Sequence, residues 1–202
     1  MTFWPLDTAF PEPRLIPAEQ ELEIAALLQQ EDDLHLDLRT LSFRFVMGRT
    51  TSNKTPEMLA RYDDGNGTVN GAPDHARRAP EIEFYQRLAS EGIPDKTVRA
   101  SAEKFRAAFD DFESRLSSAP FLLGQSITVI DIAWYVYASR LQFAGYPFAR
   151  CHPRVHAWWE KLSADGRFSS EVQLPPPLRE SITKNHTEWA RNGTMFVDVT
   201  GW

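Results

Sequence analysis

Phe121-Leu-Leu-Gly-Gln-Ser-Ile-Thr-Val-Ile-Asp-Ile-Ala-Trp134 is a loop that runs into a helix start. Thr128 is a strong N-cap residue, because its hydroxyl can accept a hydrogen bond from an unpaired amide of the first turn. Asp131 stands three residues later, where its carboxylate can reach back to the Thr128 amide as the acid of a capping box. Ile127 precedes the cap and Ile132 falls at the fourth helical position, the spacing of a hydrophobic staple. From Ile130 to Phe143 the chain is apolar nearly all round apart from its two polar ends, which predicts a helix buried on most sides. A capped, enclosed helix of this kind is a folding core rather than a reactive centre.

Helical periodicity extends outward in both directions. Val98, Ala102, Phe105, Phe109, Phe112 and Leu116 are spaced 4, 3, 4, 3 and 4, which places one apolar stripe on a helix over about 96–116. Asp111 and Arg115 are spaced to pair on its solvent side. Leu34, Leu38, Leu41 and Phe45 recur at the same period in a first helical region from Pro17 to Phe45, with Glu31-Asp32-Asp33 as the place for a kink or a second start. A short helix is expected over Pro80–Ser90, with Ile82, Tyr85 or Phe84, and Leu88 inward and Gly92 as its stop. Residues 47–80 read as an irregular insertion, since Asp63-Asp-Gly-Asn-Gly-Thr-Val-Asn-Gly71 is turn-rich and has little to bury. After Pro175-Pro-Pro177, Leu178–Arg191 reads as a last helix, and Met195–Val199 as an extended segment laid on the body. These elements make an all-α bundle of about five to seven helices. The expected divisions are a leading segment over 1–16, the helical domain over 17–172 and a packed tail over 173–202.

The 202 residues are 42% hydrophobic and 25% charged, a balance that supplies one sizeable core. A net charge of −6 disfavours a general binder of nucleic acid or anionic membrane. No stretch is long and apolar enough to span a bilayer, and the N-terminus lacks the pattern of a signal peptide. Cys151 is the one cysteine, so no intrachain disulfide forms, which fits a reducing cytoplasm.

The run from Phe121 to Trp134 resembles the hallmark of the glutathione transferase C-terminal domain, in which a Leu-x-Gly segment leads into Ser/Thr-x-x-Asp and the central helix of an all-helical bundle. Gly145-Tyr-Pro-Phe148 and His152-Pro-Arg-Val-His-Ala-Trp-Trp-Glu-Lys-Leu162 are similar to the next loop and helix of that family. Phe10-Pro-Glu-Pro-Arg-Leu-Ile-Pro17 is similar to the linker between the two domains of its members. The resemblance covers roughly residues 5–172. Members of the family usually begin with a thioredoxin-like domain that binds glutathione, and Leu6–Phe10 looks like the last turn of that domain's final helix. The chain shows no βαβ pattern before it, no cis-proline loop and no N-terminal Ser, Tyr or Cys in the family's catalytic setting.

In complete members of the family the electrophile pocket lies between the domains, lined by helices corresponding to Pro17–Phe45 and Lys96–Leu116. His35, Arg39 and Ser42 are spaced to share one helical face there, and a His with an Arg can hold a carboxylate. They are the expected substrate-binding residues. His152 and His156 are four apart, but no third ligand stands nearby and capping and surface roles are expected, so no metal is assigned. Cys151 lies near Arg150 and a helix start, a setting that favours thiolate, yet the resemblance gives it no role. Of Trp134, Tyr135, Tyr137, Phe143, Trp158 and Trp159, most are expected in the core. No self-contained catalytic signature is present, and no catalytic residue is assigned.

The resemblance implies a domain that supplies the hydrophobic electrophile-binding half of a glutathione-conjugating enzyme, with glutathione as co-substrate only when a thioredoxin-like domain is supplied. The alternative is a non-catalytic helical module for protein interaction or hydrophobic ligands. Expected partners are a thioredoxin-like domain, a second copy across an exposed apolar face, or a hydrophobic small molecule.

Overall fold

A computed structural model describes residues 14–48, 52–63, 68–69, 72–73 and 75–202. Its helices are α1 (Glu21–Asp33), α2 (His35–Phe45), α3 (Pro56–Asp63), α4 (His75–Glu91), α5 (Asp95–Arg115), α6 (Val129–Ala144), α7 (Phe148–Cys151), α8 (Pro153–Ser163), α9 (Gly166–Ser169), α10 (Pro176–Asn192) and α11 (Phe196–Thr200). A 3-10 turn, Ala18–Gln20, precedes α1, and a minimal antiparallel pair joins Thr68–Val69 to Ala72–Pro73. The class is all-α, as the periodicity predicts. The described residues hold more helical segments than the expected five to seven, because short helical turns (α7, α9, α11) form at bends that sequence periodicity cannot separate from loops.

α6 lies at the centre, packed on α1, α2 and α8, while α5 packs on α2, α8 and α11. The α5 stripe is buried from Val98 to Phe112, each large side chain contributing about 1.5–3 kcal/mol on leaving water. Aromatic edges lock the two central helices together: Phe112 meets Trp134 at 4.7 Å, and Phe109 meets Trp134 at 5.9 Å. Arg115 pairs with Asp111 at 2.6 Å, and it also reaches Glu23 on α1 at 2.6 Å.

Several expectations are corrected. The region 47–80 is not wholly irregular: α3 lies within it and α4 begins at His75, with Pro80 inside the helix. Ile82 is only half-buried, while Phe84 and Leu88 face the core. Met195–Val199 is not extended, because the Asp198 carboxylate accepts from the Met195 amide at 2.9 Å and starts α11. The first helical region does break at Leu34, immediately after the acidic triplet, as the sequence predicts. Residues 1–13, with most of the expected linker, lie outside the described residues. Leu15 does anchor the cap of α6, its carbonyl accepting from the Val129 amide at 3.0 Å.

α6 also departs from full enclosure. Trp134, Tyr137, Ala138 and Leu141 are buried, but Val136 and Phe143 are half-buried, Arg140 is exposed and Ile132 is 37% exposed. The helix therefore keeps an open stripe on one side.

Candidate functional site

Asp131 organises the start of α6. Its fully buried carboxylate accepts from the Thr128 amide at 2.9 Å, the Thr128 hydroxyl at 3.1 Å, the Leu122 amide at 3.0 Å and the Trp158 indole at 3.0 Å. An ionised carboxylate has acceptor sites for all four donors. Thr128 sits at the N-cap in extended conformation and completes the box. Ile127 and Ile132 line one cavity beside this start.

That cavity, of about 290 Å³, is walled by Ile127, Ile132, Tyr135, Phe168 and Val172. A second, also about 290 Å³, follows it along α6 and is walled by Val46, Phe143, Leu174 and Leu178, with Ser42 and Arg140 as polar members. Val136, Glu171 and Val172 line both, so the two form one groove along the open stripe of α6. The far wall is the segment 171–174, between α9 and the start of α10.

Beside the groove runs a chain of polar contacts from α4 to α1. Arg39 lies 3.3 Å from Glu81 and donates to His35 Nε2 at 2.9 Å. A guanidinium can only donate, so Nε2 accepts and the proton of neutral His35 sits on Nδ1. Nδ1 then faces the Tyr137 hydroxyl at 3.3 Å, and that hydroxyl lies close enough to the Glu31 carboxylate for each to act on the other's protonation. Burial, and then Arg39, hold the His35 imidazole below its ordinary pKa of 6.5. Burial raises Glu31 above the usual carboxylate value, and burial followed by the Glu31 charge raises Tyr137.

The three expected substrate residues are thus divided. His35 and Arg39 meet, but Glu81 already occupies the carboxylate position beside Arg39, whose guanidinium also lies over the rings of Phe84 and Tyr85 at 5.7 and 5.6 Å. Ser42 lines the groove. Its hydroxyl is buried, closed to solvent and makes no hydrogen bond, so it has no base to activate it as a nucleophile. Arg140 and Val136 are groove residues that the sequence reading missed, while Phe143, from the aromatic group, also lines the groove. Their signal was present, since Ile132, Val136 and Arg140 recur at intervals of four and Arg140 interrupts an otherwise apolar run.

Elsewhere, His152 is buried rather than on the surface, held by Asp110 at 3.0 Å and the Tyr146 hydroxyl at 3.3 Å, while His156 faces Glu160 at 3.7 Å. Cys151 is half-buried and lines none of the cavities described above. No group of three metal-ligating side chains occurs among the described residues. None of their helices is long and apolar enough to cross a membrane.

Residues 95–161, which hold α5, the cap of α6, α6 itself and most of α8, match the family model described as "Glutathione S-transferase, C-terminal domain". Similar curated proteins include the probable glutathione S-transferase GSTF1 of Oryza sativa subsp. japonica, 37% identical over 81 residues, which are 38% of this chain and 36% of that protein. Glutathione S-transferase 3 of Zea mays is 33% identical over 97 residues, 45% of this chain and 43% of that protein. Glutathione S-transferase F10 of Arabidopsis thaliana is 29% identical over 97 residues, 42% of each. The chain thus spans less than half the length of the curated relatives it matches. No solved structure matches it significantly. Residues 95–161, with the capped central helix they contain, thus carry the pattern of a glutathione transferase C-terminal domain.

Proposed function

We propose that this chain supplies the apolar-reactant half of a glutathione-conjugating enzyme, holding a hydrophobic electrophile in the groove along α6. Activation of glutathione belongs to a thioredoxin-like domain seated against the same side of the bundle. The observation that carries this reading is the open stripe of α6. A helix that is apolar nearly all round leaves Ile132, Val136 and Phe143 lining a groove of two joined cavities, instead of burying them against the bundle. Cavities of this size suit a ring or two of a small molecule. The division of labour follows from thiol chemistry: thiolate, not thiol, attacks an electrophile, and the family resemblance assigns the ionisation of the thiol to the thioredoxin-like domain.

Parallel calorimetric titrations test the reading. The neutral fluorescent dye N-phenylnaphthylamine is expected to bind saturably, one per chain. Glutathione titrated into the same chain is expected to give no saturable heat. Val136→Trp, which fills the middle of the groove from a half-exposed position, is expected to weaken dye binding by roughly tenfold or more, a loss of about 1.4 kcal/mol. Saturable glutathione binding, or dye binding indifferent to Val136→Trp, would overturn it.

A further inference from the structure

α3 packs on α4 as a helical pair that precedes residues 95–161, the part of the chain matched by the family model. A cavity of about 410 Å³ opens on this pair, walled by Met58, Tyr62 and Tyr85, with Lys54, Arg61 and Glu81 as its charged members. It shares no lining residue with the α6 groove. Its one acid is already engaged, since Glu81 pairs with Arg39 at 3.3 Å. Lys54 and Arg61 make no ion pair among the described residues. Two unpaired cations in one concavity, on a chain of net charge −6, form a local attractor for an anion. The walls are aromatic on two sides. Tyr62 is 47% exposed and Tyr85 half-buried, so both keep ring surface uncovered. The Tyr62 backbone is fixed from α4, because the buried Arg78 donates to its carbonyl at 3.0 Å. Tyr85 lies between two cations, with the Arg39 guanidinium 5.6 Å and the Lys54 ammonium 5.8 Å from its ring centre.

We propose that this cavity binds a nucleoside monophosphate, its phosphate held by Lys54 and Arg61 and its base laid against Tyr62 and Tyr85. Charge-assisted hydrogen bonds from a guanidinium and an ammonium suit a phosphate. Every base offers a flat face that stacks on an aromatic side chain. Inorganic phosphate alone would leave the tyrosine rings uncovered, and a neutral nucleoside would leave both cations unpaired. Glu81 repels a bare anion but can accept from sugar hydroxyls, which favours a guest carrying donors as well as charge. The site stands apart from the α6 groove and does not depend on the reading given to it.

Calorimetric titration of the whole chain with AMP, adenosine and inorganic phosphate separates the parts of the ligand. AMP is expected to bind saturably, one per chain, and roughly tenfold or more tighter than either adenosine or phosphate. The double substitution Lys54→Gln, Arg61→Gln is expected to bring AMP down to the affinity of adenosine. Both side chains are exposed, so the urea midpoint of that variant is expected to stay at the wild-type value. Tyr62→Ala is expected to weaken AMP by about tenfold and to leave inorganic phosphate unchanged. Val136→Trp, in the α6 groove, is expected to leave AMP binding as it was. AMP bound no tighter than phosphate or adenosine, or an AMP affinity that survives the double substitution, would overturn the site while leaving the α6 groove untouched. Loss of AMP binding in Val136→Trp would overturn it as well, by placing the nucleotide in the groove.

Discussion

Asp131 is a buried polar hub of the fold, since four donors from three parts of the chain converge on it. Asp131→Ala would leave those donors buried and unpaired, at about 1–3 kcal/mol apiece. The expected loss in a urea titration is about 4 kcal/mol or more, and Asp131→Asn is expected to fall between the variant and the wild type. Only the local half of this hub is legible in the sequence. The box with Thr128 spans three residues, whereas Leu122 and Trp158 reach Asp131 only because α8 packs across α6. His35 behaves similarly. Its spacing with Arg39 was readable, but the Tyr137 and Glu81 partners come from other helices. The fold holds His35 below its ordinary 6.5, mainly through burial and the Arg39 charge, with Glu81, Arg140 and Asp32 also acting on it. A group whose pKa is depressed on folding gives stability that is full above its unfolded value and is lost as pH falls through its folded value. Glu31, raised from 4.5, acts in the opposite sense. The difference in stability between wild type and His35→Gln isolates the first effect: it should shrink as pH falls below about 6.5. A pH-independent difference would contradict the neutral His35 in the Arg39–Tyr137 chain.

At the scale of elements, α6 is set by its two ends. Its start is the Thr128–Asp131 box, and its stop is Gly145, whose φ of 90° lies in the left-handed region. Gly145→Ala would force a Cβ into that conformation, 3.5 Å from Phe196 Cβ. The expected cost is about 1–2 kcal/mol, read as a lower urea midpoint; no change would mean that the turn relaxes. Elements with a long apolar repeat, such as α5, were legible because the period persists over many turns. α3 was not, because eight residues beside an Asp-Gly-Asn-Gly tract carry too few turns to outweigh the breakers. α11 was misread because Phe196, Val197 and Val199 favour strands as isolated residues, while the cap from Asp198 and the burial of Phe196 against Phe45 at 5.4 Å select a helix. The open stripe of α6 was hidden for a related reason. A helix apolar on all sides has no compositional mark for the side its own bundle leaves uncovered.

Over the whole molecule, the class and central architecture followed from periodicity and the capping box, both of which are local physics repeated along the chain. The groove did not, since it exists only where α2, α6 and the segment 171–174 come together from distant parts of the sequence. The C-terminal segment helps close this assembly: Phe196 is fully buried against Phe45 and Tyr146, and Trp202 stands edge-on to Tyr146 at 5.5 Å. That closure leaves the α6 groove as an apolar concavity large enough for a small guest. Its occupancy is the point on which the functional account turns. The most direct measurement is a crystal structure of the chain soaked with N-phenylnaphthylamine. The account predicts ring density between Val136, Phe143 and Val172, on the open side of α6. Density confined to the cavities around Leu59, on α3, with the α6 groove empty, would contradict it.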